Sequence, residues 1–314
     1  MTMQFRDIAT QAAADGAISA EEILLLRQAV WSSGRIEPEE VEAIFVVNDR
    51  LAATSPEWSD FFVEALVEFI VNGAAPHGYV SEAQADWLIA RIDHNGALES
   101  MTELELLVRL FERAESTPQR LRDYALAQIE RAVLTGEGPT RGGGMLEKGR
   151  VSAAEAALMR RIVFSSGSER PAAVSRSEAE LLFRIKDASP GGNNAPEWKR
   201  LFVQGVGNYL MGFCSHEPLS PARAAELEAF MTRPPGGIGG FLSRMARGDI
   251  GAALAEVFAP ARPERDHAAQ VAAERALTDA EDMWLQDRID ADDVGDEYEQ
   301  ALLDFIAEET GAAR

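Results

Sequence analysis

Apolar residues recur along most of this chain with the spacing of a single helix face. Trp58, Phe61, Phe62, Ala65, Leu66, Phe69 and Ile70 fall at i, i+3, i+4, i+7, i+8, i+11 and i+12, one continuous stripe on a helix of 3.6 residues per turn. Sustained alternation of period two is absent, and His94-Asn95-Gly96 lies between helical segments rather than between β-branched runs. Helix starts carry capping chemistry. Ser19-x-x-Glu22, Ser81-x-x-Gln84, Ser152-x-x-Glu155, Ser177-x-x-Glu180 and Thr278-x-x-Glu281 each let a hydroxyl accept from the third amide while the acidic or amide side chain reaches back. Ser55-Pro56 and Ser220-Pro221 set proline at the first helical position, where no N–H is needed. The pattern predicts an all-α protein.

The pattern also repeats. Ile18 to Gly34 aligns without a gap on Val151 to Gly167, and nine of those 17 positions are identical. Downstream, Glu40, Glu42, Phe45 and Asp49 fall on Glu178, Glu180, Phe183 and Asp187, and Pro56-Glu57-Trp58 falls on Pro196-Glu197-Trp198. Val80-Ser81 meets Leu219-Ser220. Trp87-Leu88-x-x-Arg91-Ile92-Asp93 meets Trp284-Leu285-x-x-Arg288-Ile289-Asp290, with Glu103, Leu106 and Leu107 on Glu299, Leu302 and Leu303 beyond it. The expectation is a tandem duplicated helical bundle: copy 1 over 1–135, a glycine-rich linker over 136–150, and copy 2 over 151–314. A Gly/Pro/Ala-rich insertion at about 232–276 interrupts the second copy. It separates a degenerate version of the Trp-Leu-x-x-Arg-Ile-Asp helix from the well-preserved one.

Composition narrows the functional classes. The 314 residues hold 30 Lys+Arg against 52 Asp+Glu, a net charge of −22 with no basic stripe, which argues against nucleic acid and against anionic membrane surfaces. One cysteine, Cys214, excludes an intramolecular disulfide framework and any cysteine-cluster zinc site. Neither a secretory leader nor an apolar run of membrane-spanning length is visible, so the expected setting is soluble and cytoplasmic.

The run Ala14-Asp15-Gly16-Ala17-Ile18-Ser19-Ala20-Glu21-Glu22, opening a helix near the start, resembles the TerB-like (tellurite-resistance) helical family. That family opens with Ala-Asp-Gly, an apolar residue two positions on, and an acidic residue starting a helix. The resemblance implies a small helical bundle acting in stress response or as a scaffold. In the second copy Lys148-Gly149-Arg150-Val151 has lost the aspartate.

Three loops carry part of a calcium-loop pattern. Asp15-Gly16-Ala17-Ile18 with Glu22 matches its second half, but Ala13 offers no oxygen at the third ligand position. Asp93-His94-Asn95-Gly96 and Asp290-Ala291-Asp292-Asp293-Val294-Gly295 begin with alternating oxygen ligands, and the latter has Ala301 where the twelfth-position Glu belongs. Asp93, Asn95, Asp290, Asp292 and Asp293 are therefore the candidates for weak Ca²⁺ or Mg²⁺ binding, with acidic helix-terminal turns as the plainer alternative.

Enzyme machinery is missing from the pattern. Cys214-Ser215-His216 has no orienting third group, and His77, His94, His216 and His267 show no ligand spacing. Gly236-Gly237-Ile238-Gly239-Gly240 lacks the lysine and preceding strand of a phosphate loop, and the paired Glu-x-x-His of a di-iron bundle is absent. The repeated Trp/Arg/Asp set and the Trp58/Trp198 pair read as packing anchors. The sequence thus predicts a non-enzymatic interaction or scaffold module with a protein partner and no cofactor. The alternative is an acidic metal-responsive protein.

Overall fold

The computed structural model describes residues 3–32, 34–94, 96–141, 147–166, 173–190, 193–211, 220–231, 279–290 and 296–310. Thirteen α-helices and no strands occur among them, with a single isolated bridge between Tyr79 and Ser116. In order these are α1 (Met3–Asp15), α2 (Ala20–Trp31), α3 (Pro38–Arg50), α4 (Pro56–Asn72), α5 (Glu82–Ile92), α6 (Met101–Arg113) and α7 (Gln119–Thr135). They continue as α8 (Ala153–Val163), α9 (Arg176–Ala188), α10 (Pro196–Leu210), α11 (Pro221–Met231), α12 (Asp279–Ile289) and α13 (Glu297–Glu309). The expected insertion at 232–276 lies outside the described residues.

Local chemistry sets most of the helix starts. Ser19, Ser81, Ser100, Ser152 and Ser175 each accept from the third helical amide, and the Glu or Gln at that position closes the box. Ser55 caps α4 with Pro56 behind it. One cap differs from expectation. The start of α9 is Ser175 with Glu178, not Ser177 with Glu180. Glu178 is buried beneath α7, where it closes the box and meets Arg122 at 3.1 Å, whereas Glu180 stays outside and pairs with Arg176 and Arg288. Thr278 lies outside the described residues.

The helices stack in two layers. One layer runs α2–α4–α6–α8–α10–α13, each helix packed on the next. Behind it lies the row α1–α3–α5–α7–α9–α12. Here α1 packs on α3, α5 on α7 and α7 on α9, while Phe45–Trp87 and Phe183–Trp284 ring contacts join α3 to α5 and α9 to α12. The packing order is periodic. α7 rests on α8 and α9 as α1 rests on α2 and α3, and α10 meets α8, α9 and α13 as α4 meets α2, α3 and α6. By packing, the seventh helix therefore stands where a first helix would.

Side chains follow the same period. Phe45 meets Trp87 edge-on at 5.9 Å and Phe62 at 5.4 Å; Phe183 meets Trp284 at 5.6 Å and Phe202 at 5.1 Å. Trp58 and Trp198 are both fully buried against the phenylalanine one turn on, Phe62 and Phe202. Each such ring contributes about 1.5–3 kcal/mol by leaving water. Gly16 (φ 67°) brings its backbone against the Arg50 carbonyl, and Gly149 (φ 70°) does the same with the Ala188 carbonyl, the corresponding place after α9. One difference has a chemical consequence. The Trp58 indole N–H donates to Asn48 Oδ1 at 3.1 Å, but Lys186 stands in the matching place in α9, and the Trp198 indole has no acceptor among the described residues.

The halves are in direct contact among the described residues. Arg161 of α8 reaches α6, where its guanidinium donates to Glu105 at 2.9 and 2.9 Å and to Glu112 at 2.7 and 3.0 Å. Those bonds raise its pKa and hold the Glu112 carboxyl below its ordinary value. Within the segment expected to be a linker, Arg141 is buried and meets Glu155 at 2.8 Å, so part of 136–150 belongs to the core.

Candidate functional site

A concave surface lies on the α2–α4–α6 face. Arg27 and Trp31 of α2, Ser59, Asp60, Val63, Glu64, Val67 and Glu68 of α4, and Glu105, Arg109 and Arg113 of α6 enclose a groove of about 560 Å³. Helical spacing puts them there. Residues 60, 64 and 68 form one row along α4, residues 63 and 67 the row beside it, and residues 105, 109 and 113 the facing row of α6. The floor is apolar, made by Trp31, Val63 and Val67, and Leu24, 54 % exposed, extends the same face of α2 by two turns. The rims are charged with opposite sign. α4 contributes Asp60, Glu64 and Glu68, while α6 contributes Arg109 and Arg113 alongside Glu105. Arg27 lies over the Trp31 ring at 5.7 Å and pairs with Glu64; Arg109 pairs with Glu105 at 3.1 Å and Glu112 at 3.4 Å. Asp60 and Arg113 have no ion-pair partner among the described residues.

A smaller hollow of about 330 Å³ lies on the corresponding place of α10 and α13, lined by Pro196, Lys199, Arg200, Val203, Gln204 and Phe305. Its frame is the same: Arg160 lies over the Phe164 ring at 5.2 Å and donates to Gln204 at 2.6 Å, as Arg27 does with Trp31 and Glu64. Its lining is not. Where α4 has Ser59, Asp60 and Glu64, α10 has Lys199, Arg200 and Gln204; where α6 has Arg109 and Arg113, α13 has Phe305 and Glu309. Gly207 takes the place of Val67, and a Cβ there would sit 2.5 Å from the Phe305 ring, so the missing side chain is what lets that ring settle over α10. Lys199 pairs with Glu297 at 3.0 Å, while Arg200 is exposed with no ion-pair partner among the described residues.

The acidic turns hold their carboxylates differently. Asp93 ends α5, where Oδ1 accepts from the Tyr124 hydroxyl at 2.9 Å and Oδ2 from the Gly96 amide at 3.1 Å. Burial and that bond to Asp93 push the Tyr124 phenol well above its ordinary pKa. Asp290 is exposed just past the end of α12. Asn95, Asp292 and Asp293 lie outside the described residues, as do Cys214, His216, His267 and Gly236 to Gly240. Among the described residues, no group of three or more His, Cys, Asp or Glu side chains is placed to hold a metal ion. The repeated arginines are used in packing. Arg91 lies over Phe45 at 4.5 Å and pairs with Asp49 at 3.0 Å, and Arg288 reaches Glu180 at 3.5 Å.

Other buried charges are matched within the core. Burial lowers the Lys186 ammonium, but its bonds to Glu299 (2.5 Å), Asp187 (2.9 Å) and Asp296 (3.1 Å) outweigh that and hold it firmly protonated. Burial raises the Glu178 carboxyl against the opposing pull of Arg122, and it raises Glu103 in the cap of α6. His94 stands 3.9 Å from Glu103 and His77 meets Glu228 of α11. No described helix is long and apolar enough to cross a membrane. The chain matches no family model, no curated protein and no solved structure.

Proposed function

We propose that this chain is a tandem of two six-helix units that works as a non-catalytic interaction scaffold, its contact surface being the face of the α2–α4–α6–α8–α10–α13 layer. On this reading the first unit is α1–α6 and the second begins with α7, because α7 takes the place of a first helix in the packing. One observation supports the functional reading above the others. The Phe45, Trp58, Phe62 and Trp87 ring contacts recur among Phe183, Trp198, Phe202 and Trp284, yet at the groove the matching positions carry Asp60 against Arg200, Arg109 against Phe305, and Arg113 against Glu309. Charge reversal on a concave outer surface, above a core that keeps its main ring pairs, is what two copies of a scaffold acquire when their surfaces take on different contacts. A stress-response setting is inferred from the resemblance of the Asp15-Gly16 turn to TerB-like domains; in this chain that glycine sits at φ 67° and ends the first helix.

The test is site-specific photocrosslinking in cells. A photoreactive residue replaces Ser59 on the groove rim or, as a control, Ala90, which is exposed on α5 in the other layer. Discrete adducts identified by mass spectrometry from position 59 and not from position 90 support the reading. Equal labelling from both, or none from position 59, refutes it. Loss of the cellular effect on changing Cys214 or a histidine, with folding intact, also counts against a non-catalytic role.

A further inference from the structure

The groove face carries its own complement. Among the positions that line it, Asp60 on α4 and Arg200 on α10 are matching places of the two units; they bear opposite charge, both are exposed, and neither has an ion-pair partner among the described residues. The difference extends to their neighbours. The α4 rim is acidic through Asp60, Glu64 and Glu68, whereas the α10 rim presents Lys199, Arg200 and the neutral Gln204 in a chain of net charge −22. Both rims lie on one continuous layer, α4 and α10 separated by α6 and α8.

We propose that the occupant of this face is a second copy of the chain, docked so that the α4 rim of each copy meets the α10 rim of the other. This rests on the reading of the layer as the contact surface and names its partner. A two-fold axis passing near the α6–α8 junction reverses the order of helices, so α4 faces the partner's α10 and α10 faces the partner's α4. The interface is then self-complementary and closed, with each Asp60–Arg200 contact made twice. Leu24, 54 % exposed, and Trp31 supply apolar surface toward one end of the layer, and the half-buried Phe305 and Val203 supply it toward the other, where the two-fold brings the two ends together. Six helices about 9 Å apart and some 20 Å long give a face on the order of 900 Å² per copy, the size of a standard stable interface. The repulsion between two chains of this net charge is screened beyond about 8 Å at 0.15 M salt, which leaves the local pairing to set the register.

Sedimentation velocity of the full chain in about 0.15 M salt tests this with three variants, each checked for unchanged helicity. The wild type is expected to sediment as a dimer. Arg200→Asp and Asp60→Arg are each expected to weaken the dimer by about a hundredfold, roughly tenfold at each of two contacts, and the double charge swap is expected to restore it. A monomeric wild type, a single variant that dimerises as tightly as wild type, or a double swap that stays monomeric overturns the proposal. Those results leave the scaffold reading standing if position 59 still crosslinks a different protein. If position 59 captures nothing, both fail together.

Discussion

Three glycines allow the packing to be tested quantitatively. Gly34, Gly16 and Gly149 have nearly equal backbone angles, φ 70°, 67° and 70°, so replacing any of them with alanine incurs the same left-handed penalty of about 1–2 kcal/mol. Their surroundings differ. An alanine Cβ at position 34 meets nothing within 4 Å among the described residues, at position 16 it lies 3.2 Å from the Arg50 carbonyl oxygen, and at position 149 it lies 2.7 Å from that of Ala188. The last distance is one that real side chains do not adopt, and its neighbour is backbone at the end of α9, so the clash adds about 1–3 kcal/mol of overpacking strain. Gly34→Ala is therefore expected to cost about 1–2 kcal/mol, Gly16→Ala slightly more, and Gly149→Ala about 2–5 kcal/mol, the two penalties combined. Urea unfolding followed by tryptophan fluorescence measures the series, with unchanged m values required for the comparison. If Gly149→Ala is no more destabilising than Gly34→Ala, the close approach of the α7–α8 turn to α9 is wrong, and the parallel with Gly16 goes with it.

Other expectations follow from the same contacts. Trp58→Phe should cost about 1 kcal/mol more than Trp198→Phe, because only the Trp58 indole gives up a hydrogen bond, to Asn48, and urea unfolding of both variants decides it. Arg161→Ala removes a two-carboxylate clasp that is about one-third exposed, and should destabilise by about 1–2 kcal/mol while raising hydrogen exchange in α6 and α8 together. The sign of its pH dependence is set by Glu112. That carboxyl is held below 4.5 by Arg161, so the clasp contributes fully above that value and is lost as the pH falls through the lowered one. The cost of Arg161→Ala, measured by thermal melts, should therefore shrink on acidification below about pH 4.5, the ordinary carboxyl value. A cost that grows in acid would refute the assignment. Tyr124→Phe should lose about 1 kcal/mol by removing the donor to Asp93, and a melt shows it.

Much of this architecture was readable before any coordinates. Apolar stripes gave α4, serine boxes marked the starts of α2, α5 and α8, and the alignment of Phe45 on Phe183 and of Trp87 on Trp284 corresponds to two equivalent ring contacts. The start of α9 was ambiguous because Ser175 with Glu178 and Ser177 with Glu180 satisfy the same spacing, and only burial against Arg122 distinguishes them. The place of α7 was harder to see. α1 and α7 share only Arg6-Asp7-x-Ala9 against Arg122-Asp123-x-Ala125, too little to separate from chance until both helices are seen to rest on equivalent neighbours. With that register, Phe5, Ala9 and Ala12 fall on Leu121, Ala125 and Gln128, and all six are buried. The groove was missed for a different reason. Its residues are ordinary charges on helix surfaces, and the signal lay in where the aligned units disagree, Asp60 against Arg200, rather than where they agree. Asp93 drew notice as an oxygen ligand, yet what its turn needs is a carboxylate to receive Tyr124 and Gly96.

Each helix of the long row touches chiefly the helices beside it, so cohesion is handed along from neighbour to neighbour rather than gathered in one centre. Such a body opens first where a helix has few neighbours. α12, joined to the rest chiefly through the Trp284 rings, should exchange its amides early, and α6, α7 and α8, each packed on several helices, should be the last to open.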